Sequence, residues 1–510
     1  MAFLQGLDSH IVIVGCGISG IGAAQKLLNQ GFHNVRILEA TGRCGGRIRT
    51  GRIGSKTVEI GANWIHGPCQ DNPVFRLACR YDLLDAASTS EENQAVDVGG
   101  HPPYVSNWFS SSGRRLDPEL TEPAAALFQS LLLECQDFHA SGGEPAPSVG
   151  AYVKARAPGL AAAEWRDDGG AARDLGLATM SALLKLECSI SGTPSMDDVG
   201  LGAFGAYKTL PGLDCTFPAG YEGLIGCMMK ELPEGIVSYN VPVKCVHWNG
   251  SVQRPGPCGR AFPVWVECEN GDAVPADHVI LTVPLGYLKK HQKTLLSPPL
   301  PLKKMHCIER MGFGTNNKIF LEFEQPFWDP DCEAIHFVWE DESALVDVVP
   351  DVERFWMKKL ACFTVLKPAE RYGHLLCGWI SGHESEHMES LSEAEVEKSV
   401  TQVIRRFTGN PTISPKRIMR SQWYHDPYTC GSYSYLATGC SGFDIDTLAE
   451  PLPLKGSRTK PLQVLFAGEA THDSFFSTVH GALLSGWREG DRIISHYSPS
   501  SFSVSVSSKL

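Results

Sequence analysis

Residues 11–47, IVIVGCGISGIGAAQKLLNQGFHNVRILEATGRCGGR, decide the fold. The β-branched run Ile11–Val14 leads into Gly15, Gly17 and Gly20, and then into a helix-favouring segment over 21–29. This is the order strand, phosphate turn, helix of a dinucleotide site. Gly15 permits the tight turn, Gly17 lets backbone N–H groups approach a pyrophosphate, and Gly20 lets the helix pack on the sheet with its N-terminus toward the phosphate charge. A second strand, 35–38, ends in Glu39, about 20 residues beyond the turn, where a carboxylate accepts from ribose hydroxyls and repels a ribose phosphate. After it comes a second glycine–arginine loop, Gly42-Arg43-Cys44-Gly45-Gly46-Arg47, placed to bring Arg47 to the same pyrophosphate; a nicotinamide enzyme has no need of one.

The matching half lies at the far end of the chain. Another apolar run, VLFA at 464–467, precedes Gly468-Glu469-Ala470-Thr471, and Ser477-Thr478-Val479-His480-Gly481-Ala482 opens a further helix. The N–H groups of Thr478 and Val479 suit the flavin end of a dinucleotide, with Glu469 on its ribityl–phosphate section. Taken alone, the segment reads equally well as one more strand–loop–helix of an α/β domain.

Six motifs occur in one order: EATGRCGGR, GANWIHGP, FPAGYEGL, LTVPLG, GFGTNNKIFLEF and LFAGEATH…TVHGALLSGWR. Together they resemble the flavin-containing amine oxidases over roughly residues 8–495, and the ordered set is far more specific than a lone GxGxxG. The resemblance implies FAD, and an α/β fold in which a Rossmann-like FAD-binding domain is interleaved with an α+β substrate domain. The covalent enzymes of the family attach flavin to a cysteine near the end of the FAD domain. Residues 468–490 contain none, so non-covalent FAD is expected.

The 510 residues suffice for about two or three domains. A formal charge of −12 disfavours nucleic acid and draws in a small cation. The 17 cysteines show no CxxC and no zinc-ligand spacing, so neither a metal nor a disulfide framework is expected, and reduced thiols point to an intracellular enzyme. Asn249-Gly250-Ser251 is then not expected to carry a glycan. No apolar run approaches the roughly 20 residues of a membrane span, unlike the membrane-anchored monoamine oxidases. A serine-rich tail ends in Ser508-Lys509-Leu510, which matches the address read by the peroxisomal import receptor.

Cofactor motifs at both ends and near the middle place residues 1–95, 215–295 and 425–497 in the FAD-binding domain. In the middle piece Gly220, Tyr221 and Gly223 open a helix, a strand covers Val241-Pro242-Val243 near the adenine, and HVILTVPLG closes the segment. Residues 96–214 and 296–424 form the substrate domain, and 498–510 a flexible tail. The 96–214 stretch reads as largely helical with glycine- and proline-rich breaks. The 296–424 stretch carries strands at KIFLEF and LLCGWISG and a helix over 392–407, where Ser392 and Glu395 have capping-box spacing.

By its position in GANWIHGP, His66 resembles the histidine that faces the amine in animal polyamine oxidases, with Trp64 beside the flavin; the bland alternative is a histidine satisfied by backbone groups. Lys318 matches the family lysine that holds a water at the flavin, although a strand lysine can also snorkel to solvent. Asn316 and Asn317 are candidates to orient the site. Glu187 ends an apolar helical run where a carboxylate suits a second ammonium, capping and exposure being the alternatives. Trp379, Trp423, Tyr433 and Tyr435 are candidate aromatic walls, Tyr433 and Trp379 by resemblance, with Trp423 toward the cofactor and Ser477 toward substrate.

The resemblance to polyamine oxidases implies oxidation of N-acetylspermine or N-acetylspermidine at the secondary amine, giving spermidine or putrescine, 3-acetamidopropanal and hydrogen peroxide. Oxygen is the acceptor, the peroxisome the compartment and a monomer the expected state. The alternatives are oxidation of free spermine, and a scaffold that keeps FAD for stability and binds chromatin.

Overall fold

The computed structural model describes residues 6–498 except 98–99, 102–103, 167–169, 255 and 257–258, so Ser508-Lys509-Leu510 lies outside the described residues. At its centre is a five-stranded parallel sheet in the order Val464–Phe466, His278–Leu281, Ile11–Val14, Val35–Leu38, Val237–Ser238. Four of these strands bury apolar side chains on both faces: one face shares its core with helices at both ends of the chain, the other with a second sheet. The strand order brings the beginning, middle and end of the chain together. The helices Ile18–Asn29 and Val479–Tyr497 pack tightly on one another; a Cβ at Gly486 would lie 2.0 Å from the Ser19 carbonyl oxygen.

A four-stranded sheet follows, in the order Leu296–Ser297, Val243–His247, Val264–Cys268, Ala273–Ala276. The strand expected over 241–243 therefore begins only at Val243. Val241 donates instead to the Glu39 carbonyl at 2.9 Å, and Pro242 has no N–H to give a ladder.

The third large sheet has the order Arg417–Arg420, Asn316–Glu322, Leu375–Ser381, Cys362–Val365, Ala334–Val338, Ser106–Ser110. Ser106–Ser110 adds a strand to the largely helical 96–214 stretch: it pairs in parallel with Ala334–Val338. The helices Pro118–Ser141, Val149–Glu164 and Ala171–Ser191 share one apolar core. A glycine- and proline-rich break separates the first two at 142–147, while Pro123 and Pro158 lie inside helices. Burial of Val149, Val153, Ala157 and Ala161 offsets the roughly 3 kcal/mol that an internal proline costs. Glu393–Thr408 forms as its capping box indicates, with Ser392 and Glu395 exchanging side chain-to-backbone hydrogen bonds.

Among the described residues, no helix is long and apolar enough to cross a membrane, and every cysteine is free.

Candidate active site

The nucleotide end of the site is built around the Gly15 turn. Gly15 has φ of 105°, and its N–H donates to the Leu38 carbonyl at 2.8 Å. A Cβ on Gly20 would stand 2.1 Å from the Gly15 oxygen, whereas one on Gly17 meets no atom within 4 Å. Gly20 is thus required by packing, and Gly17 faces open space. Gly45 donates to the Cys16 carbonyl at 2.8 Å, laying the second glycine–arginine loop on the first. Arg43 spends its donors on that loop's own carbonyls, at Cys44, Gly46 and Ile48.

Glu39 is buried at the end of its strand. Its Oε2 accepts from the Cys16 N–H at 2.8 Å, and Oε1 accepts from Thr41 N–H at 2.9 Å and the Thr41 hydroxyl at 2.7 Å. Three of about four lone-pair sites are engaged, which leaves one for a ribose hydroxyl. Beside the carboxyl ends of the His278–Leu281 and Val464–Phe466 strands lies a small recess, lined by Arg47, Leu281, Gly468 and Glu469 among others. That is where an open parallel sheet binds nucleotides.

Arg47 donates to Glu469 Oε1 at 2.7 Å and to the Ser432 carbonyl at 2.8 Å. Glu469 Oε2 accepts from the Ser434 hydroxyl and from the Ser477 N–H at 2.8 Å. Ser477 therefore sits with this pair: its own hydroxyl donates to the Ser434 carbonyl, and its φ is 67°. Thr478 caps the last helix by accepting from the Gly481 N–H at 3.0 Å, and Val479 begins that helix. Val243 belongs to the same buried core as Val12, Val14 and Leu38, and Trp423 donates through its indole to the Ile60 carbonyl at 3.3 Å. The open face of Gly17, the unfilled acceptor site on Glu39 and the recess beside Gly468 together fit the FAD that the sequence implies.

The amine side begins at Lys318. Its ammonium is buried rather than snorkelling, and it donates to the Glu59 and Gly61 carbonyls at 2.7 Å each. The third hydrogen has only Asn63 Oδ1 at 3.5 Å, leaving it available to a water. Burial lowers its pKa to about 8. Lys318 pairs across the ladder with Trp379, its ammonium 4.9 Å from that ring's centre, and Trp379 stacks on Trp64 at 5.4 Å. Glu59, Asn63, Trp64, Tyr104, Cys377 and Trp379 line a cavity of about 770 Å³, including its mouth. Asn317 turns away, donating to Glu389 and Ser385.

Glu187 is neither exposed nor a helix cap. It is buried, accepts from the Ser191 hydroxyl at 3.2 Å, and burial raises its pKa to about 7. Nearby, Asn316 donates to the Tyr433 hydroxyl at 2.8 Å and the Ser189 carbonyl at 3.1 Å, while its own Oδ1 is buried without a partner. Tyr435, proposed as a wall, instead covers Gly312 and packs on the helical core.

His66 is held by a residue that sequence reasoning missed. Its Nδ1 lies 2.6 Å from Asp214 Oδ2, and Asp214 Oδ1 accepts from the Gly67 N–H at 3.1 Å. His101 Nε2 lies 3.6 Å from the same carboxylate, with its ring edge-on to Trp64 at 4.5 Å. Burial alone would raise the Asp214 pKa, but the hydrogen bond and charge of His66, with His101 and Gly67, bring it below the ordinary value. Asp214 stands in PGLDCTF, with no local pattern to single it out. No three His, Cys, Asp or Glu residues among those described gather as a metal site.

Residues 18–494 match the family model described as flavin containing amine oxidoreductase. The chain belongs to that family. It is 52% identical over 492 residues to the peroxisomal N(1)-acetyl-spermine/spermidine oxidase of Homo sapiens, covering 96% of each chain. It is 31% identical to polyamine oxidase 1 of Oryza sativa subsp. japonica, covering 96% of this chain and 97% of that one. Putrescine oxidase solved with putrescine shares the fold, with a TM-score of 0.63 at 21% identity over 96% of this chain and 99% of the other. The protein is an FAD-dependent amine oxidase.

Proposed function

We propose that this oxidase cleaves N-acetylated polyamines, N-acetylspermine and N-acetylspermidine, at the secondary amine on the acetylated side, releasing spermidine or putrescine, 3-acetamidopropanal and hydrogen peroxide. The identity of 52% across 96% of the chain to an enzyme named for these substrates carries the reading. FAD, when bound, supplies the hydride acceptor and the route of electrons to oxygen. The remaining work falls to the chain. Gly15, Gly17, Gly20, Glu39, Arg47, Trp64, Val243, Trp423, Glu469, Thr478 and Val479 hold the cofactor. His66 orients the amine. Glu187, with Asn316 and Tyr433, receives the distal ammonium; a carboxylate kept from water favours a cation that brings its own charge. Lys318 holds, by its third N–H, a water at the flavin that assists reoxidation by oxygen or hydrolyses the oxidised amine, and the Trp64–Trp379 stack walls the methylene chain.

In this reading, residues 1–95, 215–295 and 425–497 form the FAD-binding domain, while 96–214 and 296–424 form the substrate domain. Relatives at this identity are named peroxisomal. Ser508-Lys509-Leu510 is proposed as the import address.

Peroxide formation with N-acetylspermine and with spermine tests the substrate assignment. A larger kcat/KM for spermine reassigns the enzyme to free spermine. An N-terminally tagged protein lacking residues 508–510 is expected to be active and cytosolic; unchanged punctate localisation removes the address.

A further inference from the structure

The contact between His66 and Asp214 has a direction set by the backbone. Asp214 Oδ1 accepts from the Gly67 N–H at 3.1 Å, so this oxygen faces a donor that cannot be reversed. The other oxygen lies 2.6 Å from His66 Nδ1, and the Asp214 side chain is 4% exposed. The backbone around the carboxylate is fixed too: Asp214 N–H donates to the Gly100 carbonyl at 3.0 Å, and Ile65 and Cys215 form a bridge. A carboxylate only accepts, so Nδ1 must carry a hydrogen and a neutral imidazole keeps its lone pair on Nε2.

We propose that Asp214 is the positioning residue of this site: it fixes His66 in the Nδ1–H tautomer, so that Nε2 accepts a hydrogen bond from the substrate's amine. His101, 3.6 Å from the same oxygen, is too distant to replace His66 as the donor. The inference rests on the reading of His66 as the residue that meets the amine, and it goes beyond that reading by naming which nitrogen acts and what sets it.

Asp214→Asn separates this role from a structural one. The asparagine Oδ1 must still face the Gly67 N–H, which turns its NH₂ toward His66 Nδ1. That nitrogen then has to accept, and the imidazole is driven to the Nε2–H form, which offers the substrate a donor where it needs an acceptor. The near-isosteric Asn should therefore be at least as damaging as Ala, which leaves the ring free to choose; a structural role predicts the opposite order. A positioned histidine acting as acceptor or base is worth about 10²–10⁴-fold.

The test uses FAD-loaded enzyme with N-acetylspermine. Asp214→Asn is expected to retain the visible flavin spectrum and to slow anaerobic flavin reduction by at least about 10²-fold. In a His66→Ala background the same change should cost less than about twofold, because coupled residues are not additive. Nitrogen-15 labelling of the histidines, with the His66 resonance identified by its loss in His66→Ala, should show the protonated nitrogen move from Nδ1 to Nε2 in Asp214→Asn. Equal slowing in both backgrounds, a milder Asn than Ala, or an unchanged tautomer each overturns the proposal. A His66→Ala enzyme that reduces flavin at the wild-type rate overturns instead the reading of His66, and the labelling result still decides what Asp214 does.

Discussion

Arg47 Nη1 donates to Glu469 Oε1 at 2.7 Å across 422 residues of sequence, joining the glycine–arginine loop at the start of the chain to the strand end near its finish. Both residues were expected to serve the cofactor, but not to meet. Glu469 also accepts from Ser434 and Ser477, so one buried carboxylate ties together four segments of the nucleotide cradle. Glu469→Ala leaves these donors without their acceptor, at about 1–3 kcal/mol each where they stay buried. The variant is expected to melt lower and to retain less FAD. Thermal unfolding and the ratio of flavin to protein absorbance check both, and Glu469→Gln, which keeps one acceptor oxygen, should fall between.

Gly17 and Gly20 separate cofactor binding from folding. A Cβ at Gly20 collides with the Gly15 carbonyl oxygen, whereas Gly17, at φ −75° and ψ 174°, has room and a backbone that alanine adopts. Gly20→Ala is expected to lose fold stability. Gly17→Ala should fold normally as apoprotein and bind FAD more weakly, because its methyl group lies where the pyrophosphate approaches. Denaturant unfolding of the apoproteins and titration with FAD distinguish the two; equal apoprotein losses would remove Gly17 from the phosphate site.

These glycines were legible because strand, turn and helix chemistry are local, and so was the capping box at Ser392 and Glu395. Lys318 and Trp379 each stood out singly by resemblance to the family, but their pairing is set by a ladder between distant strands. Asp214 was not legible at all, since its meaning lies in a contact with His66 148 residues away. Ser106–Ser110 escaped for the same reason: SNWFS has no clear alternation, and its partner strand lies in the other half of the substrate domain's sequence. Ser477 was placed toward substrate, yet its hydroxyl proton goes to the Ser434 carbonyl and its N–H to the Glu469 carboxylate.

Glu187 gives a pH test. Its pKa rises from 4.5 to about 7 on burial, so between these values the folded protein holds a proton that the unfolded chain has released. Its favourable contribution is complete below about pH 4.5 and is lost as pH rises through about 7. Glu187→Gln removes that loss, worth about 3 kcal/mol. The variant should gain stability relative to wild type on going from mildly acidic to mildly alkaline solution. It should also raise KM for N-acetylspermine, whose distal ammonium loses its counter-charge, more than it lowers kcat. Unfolding curves across pH and steady-state kinetics measure the two effects, and an unaltered KM would separate Glu187 from the substrate.

Lys318 is the sharpest case, because its ammonium is buried, holds two backbone carbonyls and has one hydrogen left for a water. Lys318→Met keeps most of the volume and removes the charge, so FAD should stay bound. Loss of one positioned polar group costs about 2.7–4 kcal/mol of transition-state stabilisation, or about 10²–10³ in rate. The pH dependence carries a second signature. With a pKa near 8, the ammonium is complete below that value and lost above it, so the step it serves should slow as pH rises through about 8. That limb should be missing from Lys318→Met. Stopped-flow measurement of anaerobic flavin reduction, and separately of reoxidation by oxygen, shows which half-reaction the lysine supports. If both half-reactions and steady-state turnover run at the wild-type rate and the pH profile is unchanged, Lys318 is a structural pin between the Asn316–Glu322 strand and the Glu59–Gly61 segment, and the water must be held elsewhere.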